Sequence, residues 1–482
     1  MAGSMNARED FERWGSAAAL AAAPELTPME TLLWRAERHP VQSSTTTVII
    51  DLDRAPDWKR LVAAAEWGTG LVRRLRQRVV EPVVPTAAPT WADDPTFDLG
   101  YHLRRERVSS REEMLAQAAQ IALRPFDRSR PLWEGVLFEG VGEGAAYVLK
   151  IHHALADPLG TVQLLSMLQS GKRSHTARKP VADDDVAAPA DADPVDLAVS
   201  GLRTGLATLP EVALATARTL GHAATRPQAV VASTLHYAAS VRRLLTQAAP
   251  PSPELTPRTG RMWSFLTLDA PLEPLRTVAR QGGGTLDDAA VALVLGGLRR
   301  YHARRGSTLP EIPVGVRVSL DRADDLGNRF KGALISGPLA IEDPVDRVAA
   351  VRGEVLSLHT ERALEVLDAA APALNRLPSF VGASALRTAA VPDAFVLTLP
   401  GPPRRRYMAG AEVQGMYVLG PLPGAALTVC LVTVGDTACI GVNVDASAVA
   451  DMADLAACLA EGVDEMVSAA PSSSDQSPVG PM

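Results

Sequence analysis

The chain has 482 residues, enough for two or three packed units at ~100–200 residues each. Hydrophobic residues make up 47% of it, and 48 Lys and Arg against 55 Asp and Glu give a net charge of −7. This balance predicts a globular protein with a large core. It argues against a nucleic-acid-binding protein, which would carry a basic surplus or stripe.

The three cysteines match no zinc or redox spacing, so we expect a reducing compartment. The charged start "MAGSMNAREDFERW" lacks the apolar stretch of a signal peptide. No run approaches the ~20 apolar residues of a membrane helix. We therefore expect a cytoplasmic protein, and we leave open its oligomeric state and any peripheral contact with a membrane or lipid droplets.

The first part of the chain alternates predicted helices and strands. A helix begins at Pro28, where Thr27 and Glu30 can form a capping box. Apolar spacing and β-branched residues then predict, in order, a strand at 43–52, a helix at 58–80, a strand at 97–108, a helix at 111–123, a strand at 144–153 and a helix at 159–170.

Composition changes after this helix. Residues 171–196 are polar and rich in Ala, Asp and Pro, which predicts a flexible linker, and residues 197–248 have helical spacing. Alternating elements then return: strands at 261–270 and 312–320, a buried helix at 286–304, two strands around the turn Gly435-Asp436 within 427–445, and a last helix at 450–468.

These elements divide into two α/β halves joined by a long, partly helical crossover. The predicted organisation is a flexible leader at 1–24, a first half at 25–170, a linker and helical crossover at 171–257, a second half at 258–468 and a disordered tail at 469–482.

The stretch "KIHHALADPLG" carries the residues that point to chemistry. Successive side chains of a strand project to opposite faces, so one of His152 and His153 can face a cleft while the other packs. A histidine in a cleft suits a general base, because its unperturbed pKa of ~6.5 lies close to working pH. Asp157 can cap the next helix, with Pro158 first inside it, or it can hold the loop through an arginine.

The chain has nine histidines but no HExxH and no Cys/His cluster, so we expect no metal site. Taken alone, the histidine pair is as well explained by a structural role as by a catalytic one. A decision between the two depends on the rest of the chain.

Several stretches, in a fixed order, resemble the bacterial wax ester synthase/acyl-CoA:diacylglycerol acyltransferase family. The first three are "FDLGYHLRR", "RPFDRSRPLWEGVLFEG" and "KIHHALADPLG". "TLDDAAVALVLGGLRRY", "VRVSLDRADDLGNRF" and "LPGPPRRRYMAGAEV" then resemble the ND helix, the R…GN segment and the PGP segment of that family. HHxxxD alone is shared with other acyltransferases and with peptide condensation domains. The assignment therefore depends on the other segments, and the resemblance covers residues 25–467.

The resemblance implies an α/β fold of two chloramphenicol-acetyltransferase-like domains, mixed sheets with flanking helices, with a tunnel between them. It implies an acyl-CoA donor, which is a substrate, and a hydroxyl acceptor such as diacylglycerol or a long-chain alcohol. The product would be triacylglycerol or wax ester, and no cofactor is expected.

The resemblance also implies roles for individual residues. His153 would be the general base, His152 and Asp157 would orient it, and no covalent enzyme intermediate would form. Substrate-binding positions would be Pro158, Gly160, Asp287, Asp288, Arg317, Asn328, Thr398 and Gly401.

Three positions depart from the family pattern. Pro158 replaces the glycine of HHxxxDG. It is tolerated if that residue is the first of a helix, and it requires a rebuilt loop if the glycine has a positive φ or donates its N–H. Asp287 replaces the Asn of the ND pair, and an ionised carboxylate accepts hydrogen bonds but donates none. Thr398 stands where Asn usually precedes the PGP segment.

The residues around the ND position also have a purely structural interpretation. Thr285 and Asp288 can form a capping box, and Asp287 favours a helix N-terminus electrostatically. Arg317 is either a partner of Asp157 or a solvent-exposed residue.

Other residues of these segments have alternatives as well. Leu132 and Trp133 are expected in the core, and Asn328 is either a turn residue or a substrate contact. The basic run at 403–407 either attracts CoA phosphates or anionic lipid, or is a solvated face.

Two other functions remain open on the sequence. The altered positions also suit a specialised acyltransferase with another hydroxyl or amine acceptor and a CoA-bound or carrier-bound donor. A catalytically inactive homologue that binds a lipid surface is the second alternative, although retention of both histidines and Asp157 counts against it.

Overall fold

The computed structural model describes residues 24–37, 43–84, 87–174, 193–200, 203, 249–319, 330–358, 375, 391–422 and 424–471. The predicted leader, most of the predicted crossover and most of the predicted tail lie outside these residues, and their predicted character is therefore untested.

The first elements in chain order are α1 (Pro28–Ala36), β1 (Thr45–Leu52), α2 (Trp58–Leu71), a 3-10 turn (Arg73–Arg76), β2 (Gln77–Val80), β3 (Thr90–Asp93), α3 (Leu99–His102), β4 (Leu103–Arg107), α4 (Arg111–Leu123), β5 (Trp133–Val141), β6 (Gly144–His152) and α5 (Pro158–Leu168). Residues 194–200 are helical as well.

The later elements are a 3-10 turn (Pro253–Leu255), β7 (Trp263–Pro271), α6 (Leu272–Gln281), α7 (Leu286–Arg304), β8 (Glu311–Ser319), β9 (Phe330–Pro338), α8 (Pro344–Leu358), β10 (Ala394–Pro400), β11 (Tyr407–Met408), β12 (Ala411–Leu419), β13 (Leu427–Val434), β14 (Thr437–Asp445) and α9 (Met452–Ser468).

Two six-stranded mixed sheets form the framework. The first has the order β11-β12-β1-β6-β5-β4, in which β4 and β5 are parallel and the other neighbours antiparallel. The second has the order β7-β14-β13-β10-β8-β9, in which β10 is parallel to both β13 and β8. β2 and β3 pair separately. This architecture agrees with the predicted α/β class of two mixed sheets with flanking helices.

Strand β12 lies in the first sheet although it follows β10 of the second. Strand β1 has β12 on one side, with Ile50 opposite Met416, and β6 on the other, with Ile50 opposite Tyr147. Because β1 is buried on both faces, a place at the sheet edge would leave its backbone groups unpaired in an apolar setting. The predicted second half, 258–468, is therefore wrong for residues 407–419, which belong to the first sheet.

Helix α5, which follows the histidine pair, lies between the two halves. It contacts β10 of the second sheet. Its buried side chains Val162 and Leu165 belong to the same apolar cluster as Leu399 and Val432 of the second sheet. The contact of α5 with Leu399 and Val432 of the second sheet is called the seam below. The C-terminal end of β6 therefore leads directly into this seam.

Two predicted elements are wrong in part. The helix predicted at 58–80 ends at Leu71, after which residues 77–80 pair with β3. The strand predicted at 97–108 begins as the helical turn α3, because Asp98 caps it by accepting the Gly100 N–H at 2.9 Å. In the first case helical spacing gave way to pairing with a later strand, and in the second a helix cap replaced the start of the predicted strand.

The other predicted elements that fall within the described residues are present with bounds shifted by at most a few residues, and the predicted core residues Leu132 and Trp133 are buried. Among the described helices, none combines the length and the apolar composition that a bilayer crossing requires.

Candidate active site

His152 is the packed member of the histidine pair. It is fully buried at the end of β6, its Nε2 lies 2.9 Å from Oε2 of Glu37, and its Nδ1 accepts the Ala154 N–H at 3.0 Å. The ring meets Trp34 edge-on, with 5.5 Å between ring centroids. Both nitrogens of His152 are thus used within the protein.

His153 is partly exposed and its ring makes no hydrogen bond to any described residue. Its backbone N–H donates to the Ser44 carbonyl at 2.8 Å. Burial lowers the pKa of the imidazole, the nearby Asp157 carboxylate raises it and His152 lowers it, and the net shift is downward. A lowered pKa keeps the ring neutral at neutral pH, which is the form that can accept a proton.

Asp157 caps α5. Its backbone is extended and its Oδ1 accepts the Gly160 N–H at 2.6 Å. Pro158 is the first helical residue, where proline loses no intrahelical hydrogen bond. The loop therefore does not have to be rebuilt to accommodate it. The hydrogen bond that the Asp157 carboxylate makes is the one to its own helix.

The N-terminus of α7 carries the predicted capping box. Asp288 Oδ2 accepts the Thr285 N–H at 2.7 Å, and Thr285 Oγ1 accepts the Asp288 N–H. Asp288 is buried, and the guanidinium of Arg352 lies 3.6 Å from the same oxygen. The structure therefore shows Asp288 as part of the helix cap, the structural role given above as an alternative to substrate binding.

Asp287 is not used in that cap. It lies near Thr398 of β10 and Arg317 of β8. Burial raises the pKa of the Asp287 carboxyl, Thr398 and Arg317 lower it, Asp288 raises it, and the net shift is upward. A raised pKa favours the protonated form, which has an O–H donor.

The remaining predicted positions have simpler surroundings. Gly160 is buried and donates its N–H to the Asp157 cap. Gly401 follows β10, and a Cβ there would collide with the carbonyl oxygen of Thr433, so only glycine fits without a shift. Asn328 lies outside the described residues.

The predicted residues thus form two groups. His153 and Asp157 lie where α5 begins, and Asp287, Thr398 and Arg317 lie together in the second half. Helix α5 contacts β10, the strand that carries Thr398, and this contact links the two groups. Their roles toward substrate stay predictions.

Three residues that support the histidine pair were missed. Glu37 and Ser44 precede β1, and Arg128 lies in the "DRSRPLWE" stretch, with its guanidinium 3.5 Å from Oε2 of Glu37. The carbonyl of Leu132 in the same stretch accepts the His152 N–H at 3.0 Å. No local pattern marks Glu37, whereas the family stretch marked the region of Arg128 without giving its contact.

Two family profiles match the chain. The one described as the wax ester synthase/diacylglycerol acyltransferase catalytic domain matches residues 26–290, and the one described as the WS/DGAT C-terminal domain matches residues 326–467. The chain belongs to the wax ester synthase/diacylglycerol acyltransferase family. It is an acyltransferase, as the sequence resemblance predicted. A Mycobacterium tuberculosis protein whose name proposes it as a diacylglycerol O-acyltransferase is 35% identical to it, over 92% of each chain.

Solved structures confirm the fold class. The wax ester synthase/diacylglycerol acyltransferase from Marinobacter aquaeolei VT8 is 20% identical and superimposes with a TM-score of 0.62, covering 93% of this chain and 100% of that one. The first condensation domain of the calcium-dependent antibiotic synthetase is 15% identical, with a TM-score of 0.56 over 93% and 97% of the two chains. The predicted pair of chloramphenicol-acetyltransferase-like domains is therefore correct.

Proposed function

We propose that this family member transfers a fatty acyl group from acyl-CoA to the hydroxyl of a lipid, either diacylglycerol or a long-chain alcohol. The product is triacylglycerol or a wax ester. The family and the name of the mycobacterial relative support the lipid acceptor. The observation that carries the proposal is the His153 ring, which is held by its backbone at the seam and has no hydrogen-bond partner among the described residues.

His153 acts as the general base. The acceptor hydroxyl donates a hydrogen bond to the ring, and the ring takes the proton as the oxygen attacks the thioester carbonyl carbon. The tetrahedral intermediate carries a negative oxygen that hydrogen-bond donors stabilise. Its collapse breaks the carbon–sulfur bond, and the thiolate of CoA takes the proton from the imidazolium. The sequence yields one ester and free CoA without an acyl-enzyme.

Asp157 assists this proton transfer electrostatically. The carboxylate raises the pKa of His153 while burial lowers it, so the two effects oppose each other. The charge that develops on the ring in the transition state is stabilised by the carboxylate, which the helix cap holds in place. The carboxyl of Asp287, beside Thr398 and Arg317, is the second group that we assign to a substrate oxygen.

The test uses the purified full chain with palmitoyl-CoA and either diolein or hexadecanol. We expect acceptor-dependent release of CoA thiol together with the matching ester. His153→Gln, which has a similar size but cannot act as a base, should lower kcat by ~10²–10⁴-fold with an unchanged unfolding midpoint.

Three results would contradict parts of the proposal. Release only with small hydroxyl or amine acceptors contradicts the lipid acceptor. No acceptor-dependent release with any acceptor contradicts the transfer reaction. A wild-type rate in His153→Gln contradicts the assignment of the base.

A further inference from the structure

We propose that Glu37 is a positioning residue for acyl transfer, because its two carboxylate oxygens hold the backbone on both sides of His153. Oε2 accepts the hydrogen bond from Nε2 of His152 at 2.9 Å, and Oε1 accepts the Ser44 N–H at 3.1 Å. This inference rests on the proposed function, since it takes His153 as the reacting group.

The first branch of this clamp runs through the His152 ring. Nδ1 accepts the Ala154 N–H, so the ring proton is on Nε2, which donates to Glu37. The ring is fully buried, and a donor left without an acceptor there would be costly. Glu37 therefore fixes the tautomer of His152, and that tautomer holds the amide of the residue that follows His153.

The second branch runs through Ser44. Its N–H donates to Glu37, and its carbonyl accepts the His153 N–H at 2.8 Å. The amide of His153 and the amide after it are thus both tied to one carboxylate. Because the His153 ring has no hydrogen bond of its own to a described residue, its placement depends on its backbone and on packing.

The carboxylate is held in its charged form. Burial raises the pKa of Glu37, but His152, the Ser44 amide and Arg128 together lower it, and the net shift is downward. Arg128 also stacks on Trp34, 3.9 Å from the ring centroid, and donates to the Trp34 carbonyl at 2.9 Å. This contact gives the "DRSRPLWE" stretch a part in positioning the histidine pair.

Glu37→Gln is a sharp test of the clamp. Both partners of the carboxylate, the Nε2–H of His152 and the N–H of Ser44, are donors. A carboxylate accepts at both oxygens, whereas an amide accepts at one end and donates at the other. Either orientation of the glutamine side chain therefore places its NH₂ group against a donor, and one branch is lost without a change in side-chain size.

Glu81→Gln is the matched control. Glu81 pairs with Arg35 of α1 at 3.0 Å, and its side chain is 20% exposed, close to the 18% of Glu37. Its ion-pair partner is thus Arg35, whereas His152 pairs with Glu37. The control removes a comparable carboxylate from the same neighbourhood and leaves the clamp intact.

We expect Glu37→Gln to lower kcat by ~10–100-fold, the effect of a small misplacement of a reacting group, with unchanged KM for palmitoyl-CoA and for the acceptor. Glu37→Asp keeps two acceptor oxygens and should recover part of the rate. Glu81→Gln should retain the wild-type kcat. A kcat for Glu37→Gln equal to that of Glu81→Gln, or a raised KM at unchanged kcat, overturns the proposal.

A second measurement separates this proposal from the proposed function. In nitrogen-15 histidine spectra, the His152 signal of the wild type, assigned by its loss in His152→Asn, should show the Nε2–H tautomer that the clamp requires. If the wild type transfers no acyl group, the proposed function fails while the spectra still test the clamp. A wild-type His152 ring that is protonated on Nδ1 overturns it. If Glu37→Gln unfolds at the assay temperature, it is compared with Glu81→Gln at a lower temperature at which both are folded, and equal kcat values there overturn the proposal.

Discussion

Two helices begin beside predicted site residues, and their N-termini are capped differently. In α5 one side chain, Asp157, both caps the helix and acts on the pKa of His153. In α7 the cap is made by Thr285 and Asp288, so that Asp287 is left to face Thr398 and Arg317. In the first half one carboxylate is therefore both cap and electrostatic partner of the base, whereas in the second half the cap carboxylate of Asp288 acts on its neighbour Asp287.

The largest difference between the two helices should appear when each cap is removed in a variant of its own. Asp157→Ala and Thr285→Ala should each cost about 1 kcal/mol of unfolding free energy, because each leaves a helix N–H without its acceptor. Only Asp157→Ala should also lower kcat, by ~10–100-fold, since only this cap residue acts on the base. Denaturant titrations and steady-state kinetics measure both effects, and equal losses of kcat would show that the two caps do not differ.

Asp157→Asn separates the two tasks of the first cap. Asparagine is as good a cap as aspartate, so we expect stability close to that of the wild type. Because the Asp157 charge raises the pKa of His153, its removal should lower that pKa further. The acidic limb of the kcat/KM profile should therefore move to lower pH. A limb that stays in place would mean that the carboxylate does not act on His153.

Asp287→Asn tests the second helix in the same way. The folded-state pKa of Asp287 is raised, so the folded protein binds this proton more tightly than the unfolded chain. Wild-type stability should fall as pH rises from the unfolded pKa of ~3.9 to the raised folded value. Asn does not titrate, so the variant should be the more stable protein above that window, with an advantage that shrinks as pH falls. Denaturant midpoints across pH measure this, and a pH-independent difference would contradict it.

Pro158→Gly should have the smallest effect. Proline suits the first position of α5, and glycine there costs ~0.4–1 kcal/mol through the greater entropy of the unfolded chain. Activity on diacylglycerol should stay near that of the wild type. A large gain would show instead that the proline tunes the site away from that acceptor.

Local signals predicted the elements that depend on local physics. Helices α4 and α7 have the predicted bounds because caps at Ser110 and Thr285 start them and apolar spacing continues through them. The predicted helix at 58–80 was too long, because the composition of residues 77–80 does not indicate that they pair with β3.

Contacts between residues distant in sequence were missed at the site as well. The family resemblance pointed to His153, Asp157 and Asp287 through local motifs, and their roles toward substrate stay predictions. It gave no indication that Glu37 contacts His152, 115 residues away. A glutamate at the end of a helix is common, and only the folded chain shows which donors it faces.

The strand exchange at β12 has a consequence for the synthesis of the protein. Strand β1 ends at Leu52, and the neighbour that completes it begins only at Ala411. At ~5–20 residues per second, the ribosome takes tens of seconds to cover that interval, during which one edge of an apolar strand has no partner. The nascent first half is therefore an aggregation-prone intermediate until almost the whole chain has emerged.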